Sequence, residues 1–470
     1  MKAEDFADQT EAEKKLIAHL REGKAGYCQI GDKLPTANAQ KNLHIRASLI
    51  RALALNQVED VPLPERGLAV CAAFIQSDSQ QGGGTRGLNL EGTDVVQTLG
   101  LKDCYFPDLI LLRHARMRNF WLDYSYLSAG LEADGAEISG IISMCNISSN
   151  GEIRLLGAIV GGDLPCSDAV LRGSSFSLVA DNLAVKGSIF LDGISAMGEV
   201  RFVSAQIGGN LFCDSASLMA RGTSLNCAGA KVGGGWFWRM GASAVGALDL
   251  TTAEIATIVD DPSCWPQELL LDRCRYGGFV GMGLSGRERI DWLSRLNPEK
   301  HHCGFWPQPY EECARALREG GYSADAREVL IQKERLQRAA RDKRLEREIK
   351  AEKRLYPRLG LWLQRWLSRG GDIFLAMTVA YGRRPLQAVV PLLGILLLGS
   401  IIFLVAAGLD QIKPNLPQIQ RAAEWTGCRP PEGSVPPGER WEEGDSQVAC
   451  FLRQPEAASY PRFDALIYSA

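Results

Sequence analysis

Residues 281–286 read Gly-Met-Gly-Leu-Ser-Gly, a GxGxxG spacing that in a βαβ unit brings backbone amides against a pyrophosphate. Here short β-type runs precede it and a helical pattern follows, with no acidic residue closing a second strand, so the spacing reads as an exit from the last coil of a repeat. His301, His302, Cys303 and Cys313, with Cys264 and Cys274 upstream, are metal-ligand types, but no CxxC or HxxxH spacing aims them at one ion. His19, His44 and His114 are isolated, and no nucleophile elbow, Walker loop or HExxH helix occurs. The expectation is therefore no catalytic residue, no cofactor or cofactor-binding residue and no metal ligand, and the reading leans away from an enzyme.

The elements that would carry any site are plainer than the site. At 470 residues the chain exceeds one hydrophobic core. Its net charge of -3 gives no general pull toward nucleic acid. The N-terminus, Met-Lys-Ala-Glu-Asp-Phe, lacks the basic flank and apolar run of a secretory signal, which starts the body in the cytoplasm. Of 13 cysteines, 11 lie before residue 385, scattered singly among apolar neighbours as buried free thiols would be. Cys428 and Cys450 follow, alone on the far side, and are the candidate disulfide.

Residues 1–62 read as a helical N-terminal cap: Thr10 and Glu13 form a capping box, and the steps Leu43, Ile45, Leu49, Ile50, Leu53 suit a second helix. Over 63–280 short β-favouring runs alternate with Gly, Ala, Ser and Asp. The segment Gly151-Glu-Ile-Arg-Leu-Leu-Gly-Ala-Ile-Val-Gly-Gly-Asp-Leu-Pro-Cys166 overlays residues 198–213 without a gap at a shift of 47. Ser177-Leu meets Ser224-Leu at the same shift, and Leu131 onward meets Leu225 onward at 94. The phrase recurs twice per unit, so the coil is about half of 47, roughly 23 residues, one turn of a right-handed parallel β-solenoid whose coils share an inner ladder. Leu155, Phe202, Leu164 and Leu211 point inward, Cys166 and Cys213 share a column, and about nine coils fit. No outward Asp or Glu is seen to recur at matching coil positions, as an enzymatic groove on a solenoid face would require.

Residues 281–384 turn helical: an αα-hairpin around Gly320-Gly321-Tyr322, then a basic juxtamembrane neck with 13 Lys and Arg against 5 Asp and Glu between Lys333 and Arg369. Residues 385–409 carry no charge and are apolar on every face, so they predict one transmembrane helix bounded by Leu386 and Leu409. Arg383 and Arg384 abut its start, which puts the body inside and the 410–470 tail outside. Just before the span, Trp362 and Trp366 interleave with Arg365 and Arg369, the mixture of a helix lying in the headgroup layer; the alternative is a packing face.

Ile45-Arg-Ala-Ser-Leu-Ile-Arg, the Gly-Glu-Val-Arg-x-x-x-Ala-x-Ile-Gly-Gly-x-Leu-x-Cys repeats, Pro307-Gln-Pro-Tyr-Glu-Glu and Asp325-Ala-Arg-Glu-Val-Leu-Ile-Gln-Lys together resemble bacterial membrane-anchored, pentapeptide-like β-solenoid proteins, some of them labelled membrane-associated oxidoreductase. The resemblance implies a protein of the bacterial inner membrane with a cytoplasmic body and a periplasmic tail. The leading expectation is a protein-binding or scaffold module with a protein partner or a second copy of itself. The alternatives are an oxidoreductase or other enzyme with a site on a solenoid face, and a transport or signalling component.

Overall fold

The structure, a computed structural model, describes residues 1–24, 26–77, 87–281, 285–297, 305–352, 354–379, 381, 385–409, 412–413, 417–459 and 464–469. It divides into two compact units, Met1–Arg344 and Leu345–Ala470. The first is a parallel β-solenoid of about eight turns at about 22 residues per turn, with helices at both ends.

Each coil has four short sides. In one coil they begin at Glu137, Ile142, Ser148 and Ile153; the first, third and fourth pair in parallel with the same side of the next coil, and the second pairs with Phe120–Trp121 of the coil before. Two opposite corners turn through a left-handed residue, in the middle coils mostly a type that tolerates it (Asn146, Asp168, Asn182, Gly135, Gly157, Gly193), whereas Tyr124, Ser204, Met240 and Thr252 adopt it elsewhere. The inner ladder is dry, with Leu155, Phe202, Leu164 and Leu211 buried.

Coil length alternates. Glu137 pairs with Ile159, 22 residues on, Ile159 with Ala184, 25 on, Ala184 with Gln206, 22 on, and Gln206 with Lys231, 25 on. One short and one long coil make the 47-residue unit. The three extra residues sit at the same corner of each long coil, where the register shifts between Phe176 and Leu178 and again between Thr223 and Leu225. A fully buried serine holds each: Ser177 and Ser224 bond corner carbonyls through Oγ and accept from the amides of Gly198 and Gly246 in the coil above, both at 2.9 Å. Cys166 and Cys213 do fall in one column, but one unit is two coils, so Leu191 stands between them.

A third corner explains the Gly-Gly-Asp/Asn phrase of the repeat. Asn119, Asp163 and Asn210 each accept through Oδ1 from the coil above, from the amides of Ile141, Ser188 and Gly235 at 2.9, 2.8 and 2.7 Å. The residues facing those oxygens are Gly140, Gly187 and Gly234, where a Cβ would lie only 2.0 to 2.2 Å from them. The acceptor therefore occupies the space a side chain would need.

The N-terminal end differs from the expected helical cap. Helix α1 (Glu11–Arg21) forms with the Thr10–Glu13 capping box. The second helix is shorter: α2 covers Ala47–Ala54, while His44–Arg46 pairs as a strand with Phe74–Gln76 and Cys28–Gln29 pairs with Val70–Cys71. The β-ladders thus reach back before residue 63, because the first coil needs hydrogen-bond partners and the cap segment supplies them. Glu13, fully buried, takes Arg46 Nε and Nη2 at 2.8 Å and the Arg46 amide at 2.9 Å. Burial alone would raise its carboxyl, but these bonds and the Thr10 amide outweigh burial and hold it below the usual 4.5.

At the other end α3 (Gly286–Ser294) and the hairpin of α4 (Gln308–Glu319) with α5 (Ser323–Ala351) close the last coil. Gln308 accepts from the Arg273 amide at 3.0 Å and donates to the Cys274 carbonyl at 3.1 Å, and Glu312 accepts from the Tyr276 amide at 3.0 Å. Side chains thereby complete the exposed edge of the final strand, Arg275–Phe279, which would otherwise template pairing with another chain.

Two expectations follow. A Cβ at Gly161 would sit 2.1 Å from the Ser139 carbonyl oxygen, whereas at Gly222 it meets nothing within 4 Å. Gly161→Ala should destabilise the solenoid by about 1–3 kcal/mol and Gly222→Ala by less than about 0.5 kcal/mol, read from urea midpoints of the far-UV circular dichroism. Because the folded pKa of Glu13 is depressed, its contribution is complete above pH 4.5 and is lost as pH falls through the lower folded value. Glu13→Gln should cost about 2 kcal/mol at pH 7 and flatten the acid limb of the stability profile.

Candidate functional site

The structure places the motifs that suggested chemistry in structural roles or outside its described residues. Residues 282–284 of the GxGxxG stretch are outside them. Ser285 caps α3, accepting from the Glu288 amide, and the Gly286 amide is taken by Asp325 Oδ1 at 2.7 Å, so these first amides of the helix are engaged within the chain. His301, His302 and Cys303 also lie outside the described residues. Among the described residues no three His, Cys, Asp or Glu side chains converge as metal ligands would. Cys264, Cys274 and Cys313 are buried core thiols. Burial pushes Cys71 up to about 11 and Cys227 and Cys313 up to about 12, and it raises Cys104, Cys166, Cys213 and Cys274 as well. Such thiols stay protonated and do not attack. His44 bonds Gln76 and the Ala39 carbonyl and stacks on Phe74 at 4.3 Å, as a packed ring does.

A repeating acidic column does exist, contrary to the expectation. Asp134 and Asp181 are 47 residues apart and hold Arg154 and Arg201 at 2.7 and 2.6 Å, while one Oδ1 of each accepts from the amide of Leu156 or Val203 at 3.2 Å. Asp214 and Arg239 form a similar pair at 2.7 Å at another corner. Each carboxylate is spent on the coil above it, and its hydrogen bond raises the pKa of its arginine. Among the described residues the one fully buried pair lies at the C-terminal end. Asp260 takes Arg289 at 2.7 and 2.8 Å and Trp265 Nε1 at 2.8 Å, and the guanidinium lies 3.7 Å from the Phe279 ring centroid. It ties α3 to the last coils.

What the solenoid offers outward is ladders. On the second side of the coil Pro165, Phe190, Phe212 and Phe237 align, with the three phenyl rings stacked at 4.9 and 4.5 Å and partly exposed. On the third side His44, Phe74, Tyr105 and Tyr126 stack at 4.3, 5.1 and 5.0 Å. On the first side Asp94, Arg116 and Glu137 line a shallow groove of about 420 Å³, and Lys231, Glu254 and Arg275 line another of about 720 Å³. Sequence reasoning missed these columns, since a residue's outward neighbours are 21 to 31 positions away and the step varies from coil to coil.

In the second unit α6 runs Leu355–Val379 and α7 Val389–Gly408. The candidate span, Leu386–Gly408, has 23 residues, mean hydropathy 2.8 and 6% of its most apolar window buried, so it is one helix long and apolar enough to cross a membrane. Leu386 and Leu409 are exposed at its ends, whereas Arg383 and Arg384 lie outside the described residues. Trp362, Arg365, Trp366 and Arg369 fall on α6, both tryptophans exposed and Arg365 paired with Glu346 at 2.8 Å. Cys428 and Cys450 form a disulfide, packed with Ile419, Trp425 and Phe451 in a small core of the tail. Comparison with family models, curated proteins and solved structures gave no match.

The two kinds of ion pair separate by burial. Asp260→Asn should cost about 3–5 kcal/mol, because it leaves Arg289 buried without its counter-charge. Arg154→Ala, at a half-exposed pair, should cost less than about 1 kcal/mol. Thermal melts of the two variants check the ordering.

Proposed function

We propose that the chain is a membrane-anchored β-solenoid that serves as a binding or scaffold module, holding a protein partner along its ladder faces at the bacterial inner membrane. The observation that carries this reading is the chemistry of the outward columns. Their carboxylates and arginines pair from coil to coil, whereas the Phe190–Phe212–Phe237 column presents partly exposed aromatic surface at a fixed pitch. Repeating rigid surfaces suit an extended partner. Five- and six-residue steps from side to side of the coil support the pentapeptide-like description.

The α7 helix serves as the anchor. The excess of Lys and Arg before it favours a cytoplasmic body. Cysteine chemistry favours the same orientation, with ten free thiols among the described residues before the span and a disulfide after it.

The test is purification from native membranes of the wild type and of Phe212→Lys, each checked for fold by circular dichroism. A partner held stoichiometrically by the wild type and lost in the variant is the expected result. A stoichiometric flavin, haem or metal in the absorption spectrum, or a chain that stays in the supernatant when membranes are pelleted, would overturn the reading.

A further inference from the structure

We infer that α6 is a binding site for anionic phospholipid, lying in the plane of the bilayer with its apolar face among the acyl chains. This rests on the reading that α7 spans that bilayer and adds a second, independent membrane contact. The helix is 25 residues long, about 37 Å, which is longer than the Trp- and Arg-rich stretch from which it was first recognised.

At 100° per residue Leu359, Trp362, Leu363, Trp366, Ile373 and Phe374 fall on one arc, and Arg358, Gln364, Arg365, Ser368, Arg369 and Asp372 on the other, together with Leu361 and Leu375. The apolar arc is not a packing face of the fold: these six side chains keep 50 to 65% of their surface exposed. A soluble helix seldom leaves six large apolar residues, two of them indoles, facing water.

Two further observations choose lipid as the occupant. Packing in the second unit brings α6 against the turn Pro385–Ala388 that opens the span. Only six residues lie between Val379 and Leu386, so this end of α6 stays within about 25 Å of the start of the span. Charge then chooses the headgroup. The polar arc carries Arg358 and Arg369 against one acid, Asp372, with Arg365 held by Glu346, and Arg354 adjoins its start. Basic residues flanking an indole-rich apolar arc place guanidinium groups at the phosphate level and the rings about 5–10 Å deeper.

The experiment reconstitutes the full chain into phosphatidylcholine vesicles and into vesicles of equal parts phosphatidylcholine and phosphatidylglycerol. The signal is the emission difference between wild type and Trp362→Phe/Trp366→Phe, quenched by lipids brominated on the acyl chain. Expected is strong quenching in the anionic vesicles that weakens with added salt. In Arg358→Gln/Arg369→Gln the ratio of docked to undocked α6 should fall roughly tenfold or more, while the protein remains resistant to carbonate extraction.

Quenching by aqueous iodide instead of bromolipid would overturn the inference, as would equal bromolipid quenching in both vesicle types. So would protection from both quenchers that rises with protein density, the mark of a second copy covering the arc. Carbonate extraction of the wild type would instead defeat the anchoring reading itself, so the two failures are distinguishable.

Discussion

Parallel pairing between coils sets a rule that every side chain in the solenoid obeys: whatever stands at one position stands about one strand spacing from its counterpart above and below. Like charges repel across that distance and a bulky residue at a point of close approach separates the coils. The columns respond accordingly. Apolar residues run up the inside, aromatic rings stack face to face, and acids alternate with bases in Asp94, Arg116 and Glu137; where Asp192 stands over Asp214, burial and that neighbouring charge raise its pKa. Where one backbone nearly touches the next, the residue is glycine. The same rule makes the corner amide bonds to Asp163 and Asn210 possible, since a short acceptor repeats where a glycine repeats above it.

A stack of this kind has two ends, and there the rule fails because no next coil exists. The chain spends its most buried charges at these places. Glu13 and Arg46 lock the N-terminal helices onto the first coil, and Asp260 and Arg289 lock α3 onto the last. A buried ion pair is a poor source of net stability, but breaking it is expensive, so it fixes one arrangement of the cap against others. The half-exposed pairs along the columns lack that leverage. Helices at the ends, with Gln308 and Glu312 on the amides of Arg273 and Tyr276, also cover part of the last coil's edge, which would otherwise favour pairing with another chain.

Much of the fold was legible because a unit copied at 47 residues needs no structure to be seen. The division of that unit was not legible. A gap-free overlay aligns long coil on long coil, so it hides the three-residue corner that Ser177 and Ser224 hold. Comparing Leu131 onward at 94 residues set Asp134 against Ala228 and concealed its match with Asp181. The first coil escaped because two-residue strands such as Cys28–Gln29 carry no period, and Ile45 fits a helical step as well as a strand. For the site, the residues of α6 and the pairing of Cys428 with Cys450 were readable from local pattern and from isolation. The outward ladders were not, since their members become neighbours only once the coil is wound.

The physical division between the two units bears on function more than any single residue does. Most of the charge in the ladders and the buried thiols of the first unit are committed to the stack, leaving the partly exposed aromatic columns as its patterned outward surface. The second unit has the opposite character: α6 and α7 leave large apolar side chains uncovered along most of their length. Water is a poor solvent for such helices; on the reading proposed above a bilayer covers both, α7 across its thickness and α6 along its surface. A patterned rigid body joined to lipid-seeking helices has the properties needed to hold a partner at a membrane, and it needs no reactive group to do so.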